Sequence, residues 1–259
     1  SQSAETVLAT RRGVCEGIAR LTVALATAAL AACGSGPDKA TTPAAAVKAT
    51  PPPAGADWTT TVAATPEGGM RMGNPDAPIK LVEYGSLTCP ACAAFSTDST
   101  EPLKKDYIGT GKVSFEYRSL LLHAPDLMAS LVLKCGGPAP FFALMEGSYA
   151  DMQSWLGKLS AIPAAEMQRL QSLTPAAQNT EFARVSGLDQ YAIQRGIPAA
   201  QLNQCLADTG KTEVLMKTRT EAFEKYQVQG TPTFFLNGKV VEGAASWRDL
   251  EPALKTAGA

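Results

Sequence analysis

The segment Cys89-Pro90-Ala91-Cys92 carries the residues of this chain that are best suited to chemistry. It follows a strand-like run, Ile79 to Tyr84, and its composition predicts that it opens a helix. The free N–H groups at a helix N-terminus stabilise a nearby anion, so Cys89 should ionise more readily than Cys92, which lies deeper in the first turn. We therefore expect Cys89 to be a nucleophile and Cys92 to resolve a mixed disulfide. This spacing also occurs in zinc sites and in structural disulfides, which remain alternatives on the motif alone.

The first 32 residues have the pattern of an export signal. Basic residues precede an apolar stretch, 21–32, that falls short of the roughly 20 residues needed to span a membrane. The segment 30–34, Leu-Ala-Ala-Cys-Gly, resembles the lipobox of bacterial lipoproteins, and this implies cleavage before Cys33 and its acylation. An ordinary secretory signal with an incidental cysteine is the alternative. We predict a signal peptide over 1–32 and a location in the periplasm or cell envelope, with a lipid anchor to a membrane.

Composition restricts the remaining possibilities. The formal net charge is −1 and no run of Lys or Arg indicates a basic groove, so we exclude nucleic acid as a partner. Residues 33–57 are rich in Pro, Ala and Thr and nearly free of large apolar side chains, which predicts a disordered tether. After cleavage and lipidation of Cys33, four thiols would remain, an even number that suits an oxidising compartment.

Order is predicted to begin near Trp58. A strand, the Cys89 helix and a second strand at 113–117, which alternates apolar and polar residues, favour a parallel pair joined by a crossover. Near the C-terminus, Asn237-Gly238 predicts a hairpin turn and Ser246 predicts a helix N-cap. Between these parts lies a helical stretch punctuated by prolines. We therefore divide the folded region into a first part at 58–124, a helical insertion at 125–208 and a second part at 209–259.

This order of elements resembles the thioredoxin fold interrupted by a helical domain, as in the DsbA family of exported thiol:disulfide oxidoreductases. The resemblance extends from about Trp58 to the C-terminus. It is carried by Leu81-Val82-Glu83-Tyr84, by the Cys89 to Cys92 motif and by Gly230-Thr231-Pro232-Thr233-Phe234. It implies an α/β thioredoxin-like fold with an inserted helical domain, and disulfide exchange with unfolded or partly folded exported proteins that contain cysteines. It also implies a membrane redox partner of the DsbB kind. We expect no cofactor, no metal and, since no dimerisation segment follows the tether, a monomer.

Carried over residue by residue, the resemblance makes Cys89 the attacking thiolate and Cys92 the resolving thiol. Pro232 matches the family's cis-proline, which faces the cysteines, and Thr231 before it touches the same sulfurs. A trans turn proline is the alternative, since most X-Pro bonds are trans. Glu83 matches the family's buried acid and could move the proton of Cys92. A solvent-facing strand glutamate is the alternative for that position.

Ala91 departs from the best-known family members, which carry histidine there. Without that cation, Cys89 should have a pKa above the family extreme of about 3.5 and nearer the thioredoxin value of about 7. We therefore predict a weaker dithiol oxidase and keep a disulfide reductase or isomerase as the alternative. Outside enzymes, the alternative is a Cu(I)-binding lipoprotein that uses the two cysteines as soft ligands, although the chain has no Met-rich or His-rich tract.

Cys135 and Cys205 bracket the helical insertion. We expect them to form a structural disulfide, which would close a loop of about 70 residues and stabilise the fold by about 4 kcal/mol in the chain-entropy model. Two buried free thiols or a second redox pair are the alternatives. The sole histidine, His123, is expected to be structural, because one histidine cannot build a Cys₂His₂ zinc site.

Overall fold

A mixed sheet of six strands forms the centre of the computed structural model, which describes residues 44–259. The strands in chain order are β1 (Val62–Ala64), β2 (Met70–Met72), β3 (Ile79–Gly85), β4 (Val113–Ser119), β5 (Thr233–Leu236) and β6 (Lys239–Val240). Across the sheet they lie in the order β1-β2-β4-β3-β5-β6. Strands β3 and β4 are parallel, because a helix crosses between them, and all other neighbours are antiparallel.

Ten α-helices accompany this sheet within residues 44–259. In chain order they are α1 (Pro90–Pro102), α2 (Ala124–Lys134), α3 (Phe141–Ala150), α4 (Met152–Ser160), α5 (Ala164–Gln171), α6 (Pro175–Ser186), α7 (Leu188–Ile193), α8 (Ala199–Ala207), α9 (Thr209–Glu224) and α10 (Trp247–Thr256). A π-helical turn, Leu103–Ile108, continues α1. Helices α2 to α8 all lie in the chain between β4 and α9, so they form a helical insertion into a strand–helix framework.

One face of the sheet packs against α1. Leu81 and Glu83 lie on this face of β3 and alternate with residues that lie on the opposite face. In the pairing of β3 with β4, Glu83 lies opposite Tyr117. Phe234 of β5 lies opposite Glu83 on the other side, and its ring centroid is 4.6 Å from that of Phe95 in α1. The acid therefore sits beneath the helix that begins at the cysteines.

The other face of β3 and β5 packs against α9. Tyr84 and Phe235 are buried there with Ala222 and Val228, and their ring centroids are 5.7 Å apart. Both faces of the central strands are thus covered, as in sheets that carry helices on each side.

Strand β4 is more buried than the sequence predicts. Its alternating pattern predicts a half-buried strand, but all seven residues from Val113 to Ser119 are buried. The two charged members, Glu116 and Arg118, are tolerated because they bind one another: Nε of Arg118 donates to Oε1 of Glu116 over 2.7 Å, and Nη1 of Arg118 donates to the Tyr84 hydroxyl over 3.0 Å. Thr65 donates to the same Glu116 oxygen over 2.7 Å.

Residues 44–57 differ from the predicted disordered tether of 33–57. The backbone N–H of Ala44 donates to Thr256 and that of Val47 donates to Gly258, over 2.9 and 2.8 Å. Thr50 donates to Thr110 over 3.0 Å, and its own carbonyl accepts from the indole of Trp58. These backbone contacts, which composition does not reveal, hold the segment against the folded part. The remainder of the tether, Cys33 and the signal peptide lie outside the described residues.

The C-terminal elements follow the predictions. Asn237 and Gly238, both with positive φ, form the turn that pairs β5 with β6, Leu236 opposite Lys239. Ser246 caps α10 by accepting from the backbone N–H of Asp249.

Candidate active site

The two cysteines of the Cys89-Pro90-Ala91-Cys92 motif have different environments at the start of α1. Cys89 is the N-cap and is half-buried, whereas Cys92 lies in the first turn and is fully buried. Pro90 suits the first helical position, because the N–H that it lacks would have no partner inside the helix. Both thiols are free. Only Cys89 can meet an incoming sulfur, and Cys92 lies within one helical turn behind it.

The loop before β5 forms the opposite wall of this site. Because β5 runs antiparallel to β3, with Tyr84 opposite Thr233, the start of β5 lies beside the end of β3 and the start of α1. The thiol of Cys89 donates to the carbonyl of Thr231 over 3.3 Å. The Thr231–Pro232 peptide is cis, and Pro232 is buried. Sheet topology therefore brings together two motifs that are far apart in sequence.

Cys89 is an acidic thiol. Its pKa is lowered to about 5, first by a hydrogen bond from the Cys92 side chain, then by one from the Thr231 side chain and by the backbone N–H groups of Cys92 and Ala91. Partial burial opposes this shift. While Cys89 is a thiol that donates to the Thr231 carbonyl, the buried Thr231 hydroxyl has no hydrogen-bond partner within the described residues, so it is free to donate to the thiolate. The sequence, from the absence of a histidine at Ala91, predicts a pKa nearer about 7. The value is lower because these donors take over part of the stabilisation that a cation would provide.

Cys92 and Glu83 are both held in the protonated form. Burial raises the pKa of Cys92 well above its ordinary value, and its hydrogen bond to Cys89 and the charge of Glu83 add to this. Burial also raises the pKa of Glu83 to about 8, and the charge of Cys89 adds to it. Glu83 is thus buried rather than solvent-facing, and its Oε1 has no hydrogen-bond partner within the described residues. A buried carboxyl with a pKa near neutrality can both donate and accept a proton.

Glu83 borders a small cavity between α1 and α3. The cavity has a volume of about 20 Å³, enough for roughly one water molecule. Ser96, Ser99 and the ion pair between Lys104 and Glu146, with 2.7 Å between Nζ and Oε1, also line it. The carboxyl is therefore surrounded by a mixture of apolar and polar groups.

A polar network that the sequence does not reveal lies before Cys89. The carboxylate of Asp126 in α2, only 1% exposed, accepts from the hydroxyl of Ser86 and from the backbone N–H of Thr88. Tyr149 of α3 donates its hydroxyl to the carbonyl of Ser86 over 3.0 Å. His123, which is exposed, has its ring Nδ1 2.9 Å from the Thr88 hydroxyl. No periodicity or motif marks these residues, because their partners come from separate elements.

Cys135 and Cys205 lie in the helical insertion. They form a disulfide that joins the end of α2 to α8, with Cα atoms 5.7 Å apart. Within residues 44–259, no group of three or more His, Cys, Asp or Glu residues could hold a metal ion. None of the helices in that range has the length and apolar character to cross a membrane.

Comparison with known proteins identifies the fold family. A sequence model of the thioredoxin family matches residues 65–256. The chain belongs to the thioredoxin family. It is DsbA-like within that family, and the predicted α/β thioredoxin-like fold with an inserted helical domain is confirmed.

The DsbA-like chain resembles proteins named for disulfide chemistry. The crystal structure of a protein-disulfide isomerase from Novosphingobium aromaticivorans is 30% identical with a TM-score of 0.68, and the match covers 73% of this chain and 96% of that one. Disulfide bond formation protein D of Bacillus subtilis is 23% identical over 71% of this chain and 74% of that protein. A Rickettsia bellii relative with the provisional name protein-disulfide oxidoreductase is 28% identical over 68% of this chain. This chain spans 60% of the length of the Rickettsia bellii protein.

Proposed function

We propose that this protein is an exported thiol:disulfide oxidoreductase that exchanges disulfides with protein substrates through Cys89 and Cys92, acting as a DsbA-like dithiol oxidase. The observation that carries the proposal is the contrast between the two thiols. Cys89 is accessible and has a pKa of about 5, whereas Cys92 is buried and has a raised pKa. Such a pair can react with a substrate at one sulfur and release it with the other.

In the proposed oxidation, a substrate thiolate attacks the sulfur of Cys89 in the disulfide form of the motif. The bond between the two enzyme sulfurs breaks, and Cys92 leaves with the bonding electron pair. Glu83, protonated at neutral pH because its pKa is about 8, supplies the proton that Cys92 takes up. The product of this step is a mixed disulfide between Cys89 and the substrate.

A second substrate thiolate then attacks the substrate sulfur of the mixed disulfide. Cys89 leaves as a thiolate, and its low pKa makes it a good leaving group. The substrate has lost two electrons and has gained one disulfide, and the enzyme has gained both electrons as a dithiol. A membrane partner of the DsbB kind would reoxidise that dithiol, in a step where Glu83 takes back the proton of Cys92.

The direction of exchange follows from the stability of the Cys89 thiolate. A stable thiolate favours the reduced enzyme and therefore oxidation of the substrate. The reductase or isomerase alternative is supported by the name of the Novosphingobium relative, a protein-disulfide isomerase. Equilibration with glutathione separates the alternatives. A potential between about −120 and −200 mV supports the oxidase, and one near about −270 mV supports a reductase.

The substrates in this proposal are unfolded or partly folded exported proteins that contain cysteines. Export is supported by the signal pattern at 1–32 and by the disulfide between Cys135 and Cys205, which suits an oxidising compartment. Cys33 would carry the lipid that anchors the protein in the periplasm or cell envelope. Metabolic labelling with a radioactive fatty acid should mark the wild type but not Cys33→Ala. Equal labelling of both would contradict lipidation at that residue.

The decisive experiment measures refolding of reduced ribonuclease and reduction of insulin in parallel. Cys89→Ser should abolish both activities, because it removes the reacting sulfur. The double variant Cys135→Ala/Cys205→Ala is the matched control, since it removes two other sulfurs and should retain activity per folded molecule. Refolding that Cys89→Ser leaves intact would refute the proposed function.

A further inference from the structure

Asp126 connects the helical insertion with the loop that leads into Cys89. Its carboxylate accepts from the hydroxyl of Ser86 over 2.9 Å and from the backbone N–H of Thr88 over 3.1 Å. It also accepts from the backbone N–H groups of Leu122 and His123, each over 2.9 Å. One buried carboxylate thus binds the first turn of α2 and the approach to α1. Hydrogen bonds to a charged acceptor are among the stronger ones in proteins.

The same loop is held from a second helix of the insertion. The carbonyl of Ser86 accepts from the hydroxyl of Tyr149 over 3.0 Å and from the backbone N–H of Cys89 over 3.1 Å. A backbone hydrogen bond from Ser86 also opposes the effect of burial, which raises the pKa of the Cys92 thiol. Ser86 therefore stands between the insertion and both cysteines. A displacement of this residue would move the N-cap of α1 relative to the loop at Thr231.

We propose that Asp126 is a positioning residue for Cys89, through which the helical insertion holds the active-site loop in register with Thr231 and the first N–H groups of α1. The inference rests on the proposed function. Its physical basis is that hydrogen bonds weaken steeply when their angle or distance changes, so small shifts of the loop weaken every donor that faces the sulfur. In the competing view, Asp126 only caps α2 through Leu122 and His123 and contributes to stability alone.

Asp126→Asn separates the two views by the direction of its effect on the Cys89 thiol. Loss of a nearby negative charge by itself would lower the pKa of a thiol. Loss of the loop geometry would raise it, because the donors that stabilise the thiolate are displaced. We expect the acid dissociation constant of Cys89 to fall by about tenfold, measured by thiolate absorbance during a pH titration of the full chain. We also expect a matching shift in the equilibrium with glutathione.

Asp208→Asn is the matched control. Asp208 is also a helix-capping aspartate, since it accepts from the backbone N–H of Lys211 at the start of α9, but it does not contact the active-site loop. It should leave the titration of Cys89 unchanged. A Cys89 dissociation constant in Asp126→Asn that is equal to or higher than that of the wild type would overturn the proposal.

Ser86→Ala provides a second test that retains the charge of Asp126, and it serves if Asp126→Asn fails to fold. It removes one hydrogen bond to the carboxylate and should shift the titration in the same direction by a smaller factor. No shift in a folded Ser86→Ala protein would overturn the proposal. The titration is an equilibrium measurement on the thiol and needs no substrate. A wild type that fails to refold ribonuclease would therefore refute the proposed function without deciding the role of Asp126.

Discussion

The two cysteine pairs of this protein occupy opposite ends of helices. Cys89 is the N-cap of α1, where the free N–H groups favour a thiolate. Cys135 is the C-cap of α2, where the exposed carbonyl groups disfavour one. The first pair is separated by two residues and has one accessible sulfur, whereas the second has a sequence separation of 70 and is buried at both sulfurs.

Helix polarity and burial, rather than the chemistry of cysteine itself, therefore assign the two roles. A thiol at an N-terminus with donors around it is ready for exchange, and a pair that closes a long loop inside the insertion is suited to stabilising it. The comparison predicts that changes at one pair should leave the other property intact.

Removal of the insertion disulfide should reduce stability more than any other change considered below. Cys135→Ala/Cys205→Ala should lower the free energy of unfolding by about 4 kcal/mol, because the unfolded chain loses a closed loop of about 70 residues. Urea titration at pH 7 measures this. The pKa of Cys89 should not change. A variant as stable as the wild type would contradict the distinction between the two pairs, since the second pair would then have no structural role.

The first pair and its acid should contribute a pH dependence of stability that the disulfide-bonded second pair does not. The pKa of Glu83 is raised to about 8, so its contribution to the stability of the reduced protein is complete below about pH 4.5 and is lost as the pH rises through 8. The pKa of Cys89 is lowered to about 5, so its contribution is complete above about pH 9 and is lost as the pH falls through 5. In the reduced wild type the two effects oppose each other.

The substitution Glu83→Gln should remove only the loss of stability that accompanies ionisation of Glu83 as the pH rises. Between pH 5 and 8, the reduced variant should gain about 3 kcal/mol in unfolding free energy relative to the wild type. Urea titrations under a phosphine reductant at several pH values measure this. Glu213→Gln, an exposed glutamate of α9, is the control and should follow the wild type. Parallel curves for Glu83→Gln and the wild type would show that Glu83 is not held protonated.

The substitution Gly85→Ala tests how closely other atoms pack around the buried carboxyl of Glu83. A Cβ there would lie 2.8 Å from Oε1 of Glu83 and would also meet the ring of Tyr117. Gly85→Ala should therefore cost about 2 kcal/mol of stability, as is usual for overpacking. Gly157→Ala in α4 is the control, because a Cβ there meets no atom within 4 Å, and it should not destabilise the protein. Equal stabilities of the two variants would contradict the close packing around Glu83.

A change in the wall opposite Cys89 should have a weaker effect. Thr231→Val removes the hydroxyl that stabilises the thiolate, so the pKa of Cys89 should rise by about one unit, equivalent to about 1.4 kcal/mol. Absorbance of the thiolate during a pH titration measures it. Thr233→Val is the control, because that hydroxyl donates to the carbonyl of Gly230. If the titration curve of Thr231→Val overlays that of the wild type, the Thr231 hydroxyl does not stabilise the Cys89 thiolate.

Features that depend on neighbours in the chain can be predicted from the sequence. The cysteine spacing, the helix that begins at Pro90, the turn at Asn237-Gly238 and the cap at Ser246 can all be read locally, because helix starts and tight turns are controlled by a few consecutive residues. The thioredoxin-like order of elements followed from these signals together with the resemblance to the DsbA family.

The environment of the site, in contrast, depends on contacts between residues that are distant in the chain. The low pKa of Cys89 comes first from a hydrogen bond of the nearby Cys92 side chain, but it also depends on Thr231, which is 142 positions away and contacts Cys89 only in the folded chain. The burial of β4 and the contacts of residues 44–57 depend in the same way on distant partners. The role of Asp126 could not be predicted from the sequence for the same reason, since its hydrogen-bond donors Thr88 and His123 lie in two separate segments of the chain. Hydrogen bonding and burial in a folded protein act through space, so they depend on how the chain is folded and not on its local pattern.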